Sequence, residues 1–369
     1  MSIKQSHSYS LGIVGLPNVG KSTIFNVLTK MSVPAENFPF CTIDKNVGIV
    51  QIPDDRLEKL AKHFNAKKVV PSMMKFVDIA GLVKGGSKGE GLGNQFLSHI
   101  REVDVIMYVL RGFESEKITH VYDRIDPLTD YEIVQSELIL KDIESVEKRM
   151  GSSEKMRRIG DEKAGVEVEL LKKVLGNLND GIPVIDMKLN PEEKEILEEL
   201  SLLTDKKRLF ILNTRADIDK EKVDNWKKEL EDGTGDKVFI VDIKLLAEIA
   251  EMEEGEIKEY MDMFDKKPKT VEDIIEGAFE VLNLITFYTG SEKECNAWSI
   301  VKGSTVKEAA GVIHTDLEKG FITADVVNLE KMLEAGGWVE AKEKGLVKNH
   351  GKEYVVEDGD YIIILANTK

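Results

Sequence analysis

The chain has 369 residues and a formal net charge of −16, with 42% hydrophobic and 32% charged side chains. That length accommodates two or three domains with sizeable cores, and the acidity argues against a general nucleic-acid binder. No stretch approaches the ~20 apolar residues of a membrane span, residues 1–9 lack a secretory apolar region, and Cys41 and Cys295 have no metal-ligand spacing, so free thiols in a reducing cytoplasm are expected. The acidity is uneven. Residues 1–130 hold 16 basic and 14 acidic side chains, so nearly all the negative charge lies further on.

In chain order, Leu11-Gly12-Ile13-Val14 reads as a short buried strand, and the spacing of Ile24, Val27 and Leu28 predicts a helix after it. A strand over 47–52, a helix over 54–64 and buried strands over 75–79 and 103–110 follow. Strands alternating with helices imply a parallel sheet with helices on both faces. The pattern changes near residue 131. Helices over 131–149 and 158–178, joined by a turn at 150–154, predict a projecting antiparallel hairpin. Its charged face reads first as solvated surface, and its projection makes it a candidate arm. A helix over 191–203 starts at Pro191 behind Asn190, a good N-cap. Strands at 209–213 and 238–241 return to the first sheet, and a helix spans 270–282. A smaller α+β unit closes the chain, with strands at 285–288, 297–300, 353–356 and 361–365 and a helix at 306–310.

The chemistry begins at Gly15-Leu16-Pro17-Asn18-Val19-Gly20-Lys21-Ser22, which matches GxxxxGK[ST]. Glycines let successive N–H groups point inward at phosphate oxygens, and the next helix adds its positive end. Lys21 brings charge to the β- and γ-phosphates and Ser22 a hydroxyl to Mg²⁺; Asn18, Val19, Gly20 and Thr23 complete the expected phosphate site. Asp78-Ile79-Ala80-Gly81 closes an apolar strand and resembles the DxxG motif of P-loop GTPases. There Asp78 holds Mg²⁺ through water and the Gly81 N–H senses the γ-phosphate. Thr42, after Phe38-Pro39-Phe40-Cys41, is placed to ligate Mg²⁺. The glycine-dense residues 82–94 suit a mobile switch. Leu82 stands where Ras-like GTPases carry the glutamine that orients water, which predicts slow turnover. Asn213 ends a strand where guanine-specific enzymes place NKxD, yet the fourth position is Ala216, with Asp217 one residue later. His314 beside Asp316 reads as structural or partner-facing, because neither nucleophile nor metal-ligand partner is near it in the sequence.

These stretches together resemble the Obg-like ATPases of the YchF family over nearly the whole chain. Beyond the motifs above, Gly89-Glu90-Gly91-Leu92-Gly93-Asn94 and Ile100-Arg101-Glu102-Val103-Asp104 match, as do Ala309-Ala310-Gly311-Val312-Ile313-His314-Thr315-Asp316 and Glu318-Lys319-Gly320-Phe321-Ile322. The resemblance implies an α/β P-loop domain of three layers over residues 1–130 and 204–282. It also implies an inserted helical coiled-coil domain over 131–203 and a C-terminal α+β β-grasp (TGS) domain over 283–369. It further implies Mg²⁺, ATP hydrolysis, and a ribosomal or RNA partner; a monomer without membrane attachment is expected. Asn213 would then contact the adenine edge, Asp242, Ile243 and Lys244 would line the base pocket, and Thr214 would also bind the nucleotide. Three positions depart from the family: Ala216 for its acid, Tyr108 for a histidine, and Asp242 for a small residue. A GTPase of the Obg class and a nucleotide-dependent binding module with negligible hydrolysis therefore stand as alternatives.

Overall fold

The computed structural model describes residues 8–30, 47–79, 100–114, 124–215, 217–264 and 269–367. Thr42, Gly81, Leu82 and Ala216 lie outside the described residues. Leu11, Ile13 and Val14 of β1 (Ser8–Val14) are fully buried, as an apolar run covered on both faces must be. Around β1 lie β2 (Val47–Gln51), β4 (Met73–Asp78), β5 (Val105–Arg111), β6 (Lys207–Asn213) and β7 (Val238–Val241). The sheet order is β2-β4-β1-β5-β6-β7. Its neighbours run parallel except β2, which pairs antiparallel with β4 at one edge. With β1 between β4 and β5, the strand order reverses there and opens a crevice at the carboxyl ends of the strands. Gly12 permits close packing beneath it, because a Cβ would lie 2.2 Å from Ile79 Cδ1.

Helix α1 (Lys21–Lys30) follows the first loop and buries Ile24, Val27 and Leu28 on the sheet. The chain then leaves this layer. Helix α2 (Asp55–Phe64), capped by Asp54, packs Leu57 and Leu60 against Tyr288, Ala297, Leu329, Met332 and Tyr361. Strand β3 (Val69–Val70) pairs with Cys295 and Asn296 of a second sheet before β4 returns to the first. Chain order had associated this stretch with the first sheet. Its two leucines instead complete the other core.

The projecting arm is formed by α3 (Pro127–Arg158) and α4 (Glu162–Asn179). At the base of α3, Tyr131, Val134 and Leu138 belong to the first core, while Val146 further out packs with Val168, Leu171 and Val174. Helix α3 runs through the expected turn at 150–154. The Ser152 hydroxyl points back to the Lys148 carbonyl, and the single Ser153 hydroxyl proton lies between the Arg149 carbonyl at 3.1 Å and Glu167 Oε2 at 2.6 Å, the shorter contact. Back-bonding accommodates these hydroxyls within the helix, while hairpin packing around Val146 and Met150 holds it. The reversal falls at Gly160, φ +97°, and Asp161 caps α4 by accepting from Ala164 N. Asp142 holds the return segment by accepting from Leu203 N, Thr204 N and Thr204 Oγ1 at 2.7–2.8 Å. Burial pushes its carboxyl above the usual range, opposed by these hydrogen bonds. Helix α5 (Pro191–Glu198) has the capping box expected from Asn190, with Glu193 as its partner.

The second sheet has the order β11-β10-β12-β8-β9-β3. It contains β8 (Leu284–Gly290), β9 (Cys295–Val301), β10 (Phe321–Asn328), β11 (Lys348–His350) and β12 (Asp360–Ala366). It is mixed: β12 runs parallel to β8 and β3 to β9, and the other pairs are antiparallel. The strand expected at 353–356 is reduced to a single bridge between Thr305 and Val355. His314 is a helix cap: its Nδ1 accepts from Asp316 N at 3.1 Å. Among the described residues no helix is long and apolar enough to cross a membrane.

Candidate functional site

At the carboxyl end of β1 the chain makes a tight loop. Gly15 has φ +151° and Gly20 φ +108°; a Cβ would lie 2.4 Å from the Val109 carbonyl oxygen in the first case and 2.6 Å from Asn213 Nδ2 in the second. Only glycine fits those approaches. Leu16 and Val19 are buried and pin the loop from beneath, while Asn18 adopts φ +62°. The first backbone bond of α1, Ile24 N to Gly20 O at 3.0 Å, leaves the preceding turn's N–H groups for an anion.

The loop opens on a cavity of about 490 Å³ lined by Asn18, Gly20, Lys21, Ser22, Thr23, Phe113, Asn213, Thr214, Arg215, Ile243, Lys244 and Ala247. Lys21 Nζ donates to Leu16 O at 2.6 Å. Burial lowers its pKa, and the Asp78 carboxylate opposes the shift; Asp78 in turn is raised by burial and drawn back by Lys21. Lys21 and Ser22 thus line the cavity, and Asp78, outside the lining, is near enough to Lys21 for their charges to act on each other.

Asn213 ties the far side together. Its Nδ2 donates to Val19 O at 2.8 Å, and its Oδ1 accepts from Ile243 N at 3.2 Å. One buried amide thereby joins the phosphate loop, the end of β6 and the first residue of the helix at Ile243–Ile249. Half of the amide's hydrogen-bonding capacity remains for a ligand. Two expected residues stand elsewhere. Val19 lies under the loop and contributes its carbonyl to Asn213. Asp242 does not line the cavity; it caps the helix by accepting from Leu245 N at 3.0 Å. Its carboxylate is committed to the fold.

Phe113, Arg215 and Ala247 line the cavity without having been foreseen. The guanidinium carbons of Arg111 and Arg215 lie over the Phe113 ring, 4.5 and 4.8 Å from its centroid. Phe113 sits two residues past a strand end, and Arg215 two past Asn213, so position along the strand ends was the available signal. Tyr108 stands where the family resemblance puts a histidine. It is buried in β5, stacked on Phe210 and donating to Gln135 Oε1 of α3 at 2.6 Å, away from the cavity lining. Burial drives its hydroxyl pKa well above the ordinary value, so it stays protonated.

A parallel sheet, a glycine loop feeding a helix, an invaginated lysine and a strand-end aspartate define a P-loop nucleoside triphosphate hydrolase fold. A family model described as a 50S ribosome-binding GTPase matches residues 10–141. The model for the YchF GTPase C-terminal region, described as a protein of unknown function (DUF933), matches residues 284–367. The Ribosome-binding ATPase YchF of Bacillus subtilis (strain 168) is 44% identical over 355 residues, covering 95% of this chain and 97% of the relative. Its namesake from Escherichia coli O157:H7 is 41% identical, covering 97% and 99%. The solved Schizosaccharomyces pombe YchF GTPase superposes with a TM-score of 0.81 at 34% identity, covering 97% of both chains. The chain belongs to the YchF family.

Proposed function

We propose that this chain binds ATP with Mg²⁺ in the P-loop cavity, hydrolyses it slowly, and acts in the cytoplasm at the ribosome. The observation that carries the choice of base is the cavity lining, which contains no carboxylate among the described residues. Guanine offers two donors, N1–H and the exocyclic amine, that need such an acceptor. Asp217 is exposed and outside the lining, and Asp242 caps a helix. Asn213 retains one donor and one acceptor site, the pair that an adenine edge satisfies.

The donor set suits Mg²⁺, which takes few protein ligands and completes its shell with water and phosphate oxygens. Ser22 and Asp78 would hold it, together with Thr42 by resemblance, and the ion would neutralise charge on the transferred phosphoryl group. Lys21, protonated, would balance the phosphates. The backbone N–H groups of residues 18–23 would orient them. Leu82 cannot orient water, so slow unstimulated turnover is expected; Gly81 would report the γ-phosphate. Coupling to the ribosome rests on the relatives being known as ribosome-binding ATPases. We read the unit boundaries as the nucleotide domain at 1–130 and 204–282, the helical arm at 131–203 and a β-grasp domain at 283–369, with 55–70 contributing to the last.

The test is equilibrium binding of ATP and GTP, each with Mg²⁺, to the chain and to Lys21→Ala, followed by single-turnover phosphate release. ATP preference lost in the variant, with slow release, is the expected result. Tighter GTP binding would overturn the choice of base, and absent release would make the chain a binding module.

A further inference from the structure

The end of the helical arm is basic within the acidic part of the chain beyond residue 130. Residues 148–163 carry Lys148, Arg149, Lys155, Arg157, Arg158 and Lys163 against Glu154, Asp161 and Glu162. From Lys155 to Gly160 every side chain is exposed, and Ile159, at the apex, is 77% exposed. Met156 and Val166 are exposed beside it. The helix dipole favours cations in the last turn of α3, but it explains neither Lys148 and Lys163 nor the apolar apex. Arg149 bonds to Glu167 and Glu199, and Arg157 to Glu169. The Arg157 pair is exposed on both sides and exchanges readily for another anion.

From Val134 in the first core to Arg158 the helix rises about 36 Å, so the apex stands far from the nucleotide cavity. A stable hairpin core, with Val146, Val168, Leu171 and Val174 fully buried, keeps it extended.

We infer that this apex is the arm's contact with ribosomal RNA: Lys155, Arg157, Arg158 and Lys163 take backbone phosphates, and Ile159 seats against a base or sugar edge. Charge complementarity selects this partner. A net positive, solvent-facing tip within the part of the chain beyond residue 130, which holds nearly all of the −16, attracts a polyanion locally while the acidic stretches flanking it repel one, which favours docking through the tip. Phosphate contacts then position the arm, and an apolar apex suits unpaired loop nucleotides, whose faces are open.

The inference rests on the ribosomal reading above, and its test separates the two. Ribosome co-sedimentation is measured for the full chain and for Lys155→Gln/Arg157→Gln/Arg158→Gln, with a non-hydrolysable ATP analogue and across a salt series. ATP affinity and thermal melting of the triple variant are checked for equality with the parent. The expected result is a loss of roughly tenfold or more in ribosome affinity, with the log–log salt slope shallower by about 1 per lost contact. Parent and variant binding ribosomes equally overturns the inference while leaving the ribosomal reading intact. If the parent does not bind ribosomes, that reading fails, and deproteinised ribosomal RNA decides the inference: binding lost in the variant upholds it, and absent or equal binding overturns it. A photo-crosslinker at position 159 that labels only ribosomal protein likewise overturns it in favour of a protein partner.

Discussion

Replacing Asn213 by aspartate changes one atom at the junction of three elements. The shape is kept, and so is the acceptor for Ile243 N–H. The donor to Val19 O, however, becomes a carboxylate oxygen facing a carbonyl oxygen 2.8 Å away. The lost hydrogen bond costs about 1 kcal/mol net, and the opposed, buried acceptors add roughly 1–3 kcal/mol. A destabilisation of about 3 kcal/mol at pH 7 is expected, together with ATP binding weaker by about 100-fold because the phosphate loop loses its tether. Asn213→Ala should cost less, about 2 kcal/mol, since it strands two groups without opposing a negative charge to the Val19 carbonyl, and Ile243 borders a cavity that water can enter. The pH dependence separates the two. Burial and the facing carbonyl raise the folded-state pKa of the new carboxyl, so its penalty is present above that pKa and fades as pH falls through it, where the protonated group can donate to Val19 O. Urea unfolding between pH 4 and 7, with fluorescent ATP titration, reads both effects. Stability equal to the parent at pH 7, or a deficit that does not shrink on acidification, would refute the tethering role.

Lys21 offers a second pH test. Its folded-state pKa is lowered by burial despite Asp78, so the unfolded chain binds more protons between the folded and unfolded values. Nucleotide-free stability should therefore rise with pH through that window, and Lys21→Met should flatten the rise. Phosphates restore the charge, so ATP binding at alkaline pH should take up a proton, seen by calorimetry in buffers of different ionisation enthalpy. Arg208 is buried and bonds to Asp186, Asp236, Tyr131 and the Thr234 carbonyl. Arg208→Leu should cost about 3 kcal/mol in urea unfolding, with partial recovery on adding Asp236→Asn. No recovery would mean packing, rather than stranded charge, sets the loss.

Much of the first sheet was legible because buried parallel strands read as continuous apolar runs: Leu11-Gly12-Ile13-Val14 and 209–213 lie in strands, and the run expected at 103–110 forms one from Val105 on. The phosphate loop was legible because its glycines are forced by close approaches that leave a fixed spacing. Less was visible where tertiary contact decides. The Gly151-Ser152-Ser153 stretch has turn chemistry yet stays helical within the packed hairpin, its hydroxyls taken up by i−4 carbonyls and Glu167. The role of Asp242 depends on whether its carboxylate faces the cavity or the next helix's N–H groups, and sequence leaves both open. The packing of Tyr108 was hidden for a related reason: side chains along a strand alternate faces, and sequence does not say that this one points to α3.

The excursion through α2 and β3 means that the chain enters the second sheet, leaves it, and re-enters some 200 residues later. The region matched by the C-terminal family model, 284–367, is therefore short of an edge strand and of the leucines that close its core. A graft of 284–367 onto another nucleotide domain would expose Tyr288, Ala297 and Met332 unless the host supplied its own α2. The two sheets are bound to be inherited together, and exchange of modules between relatives would have to move residues 55–70 along with the tail.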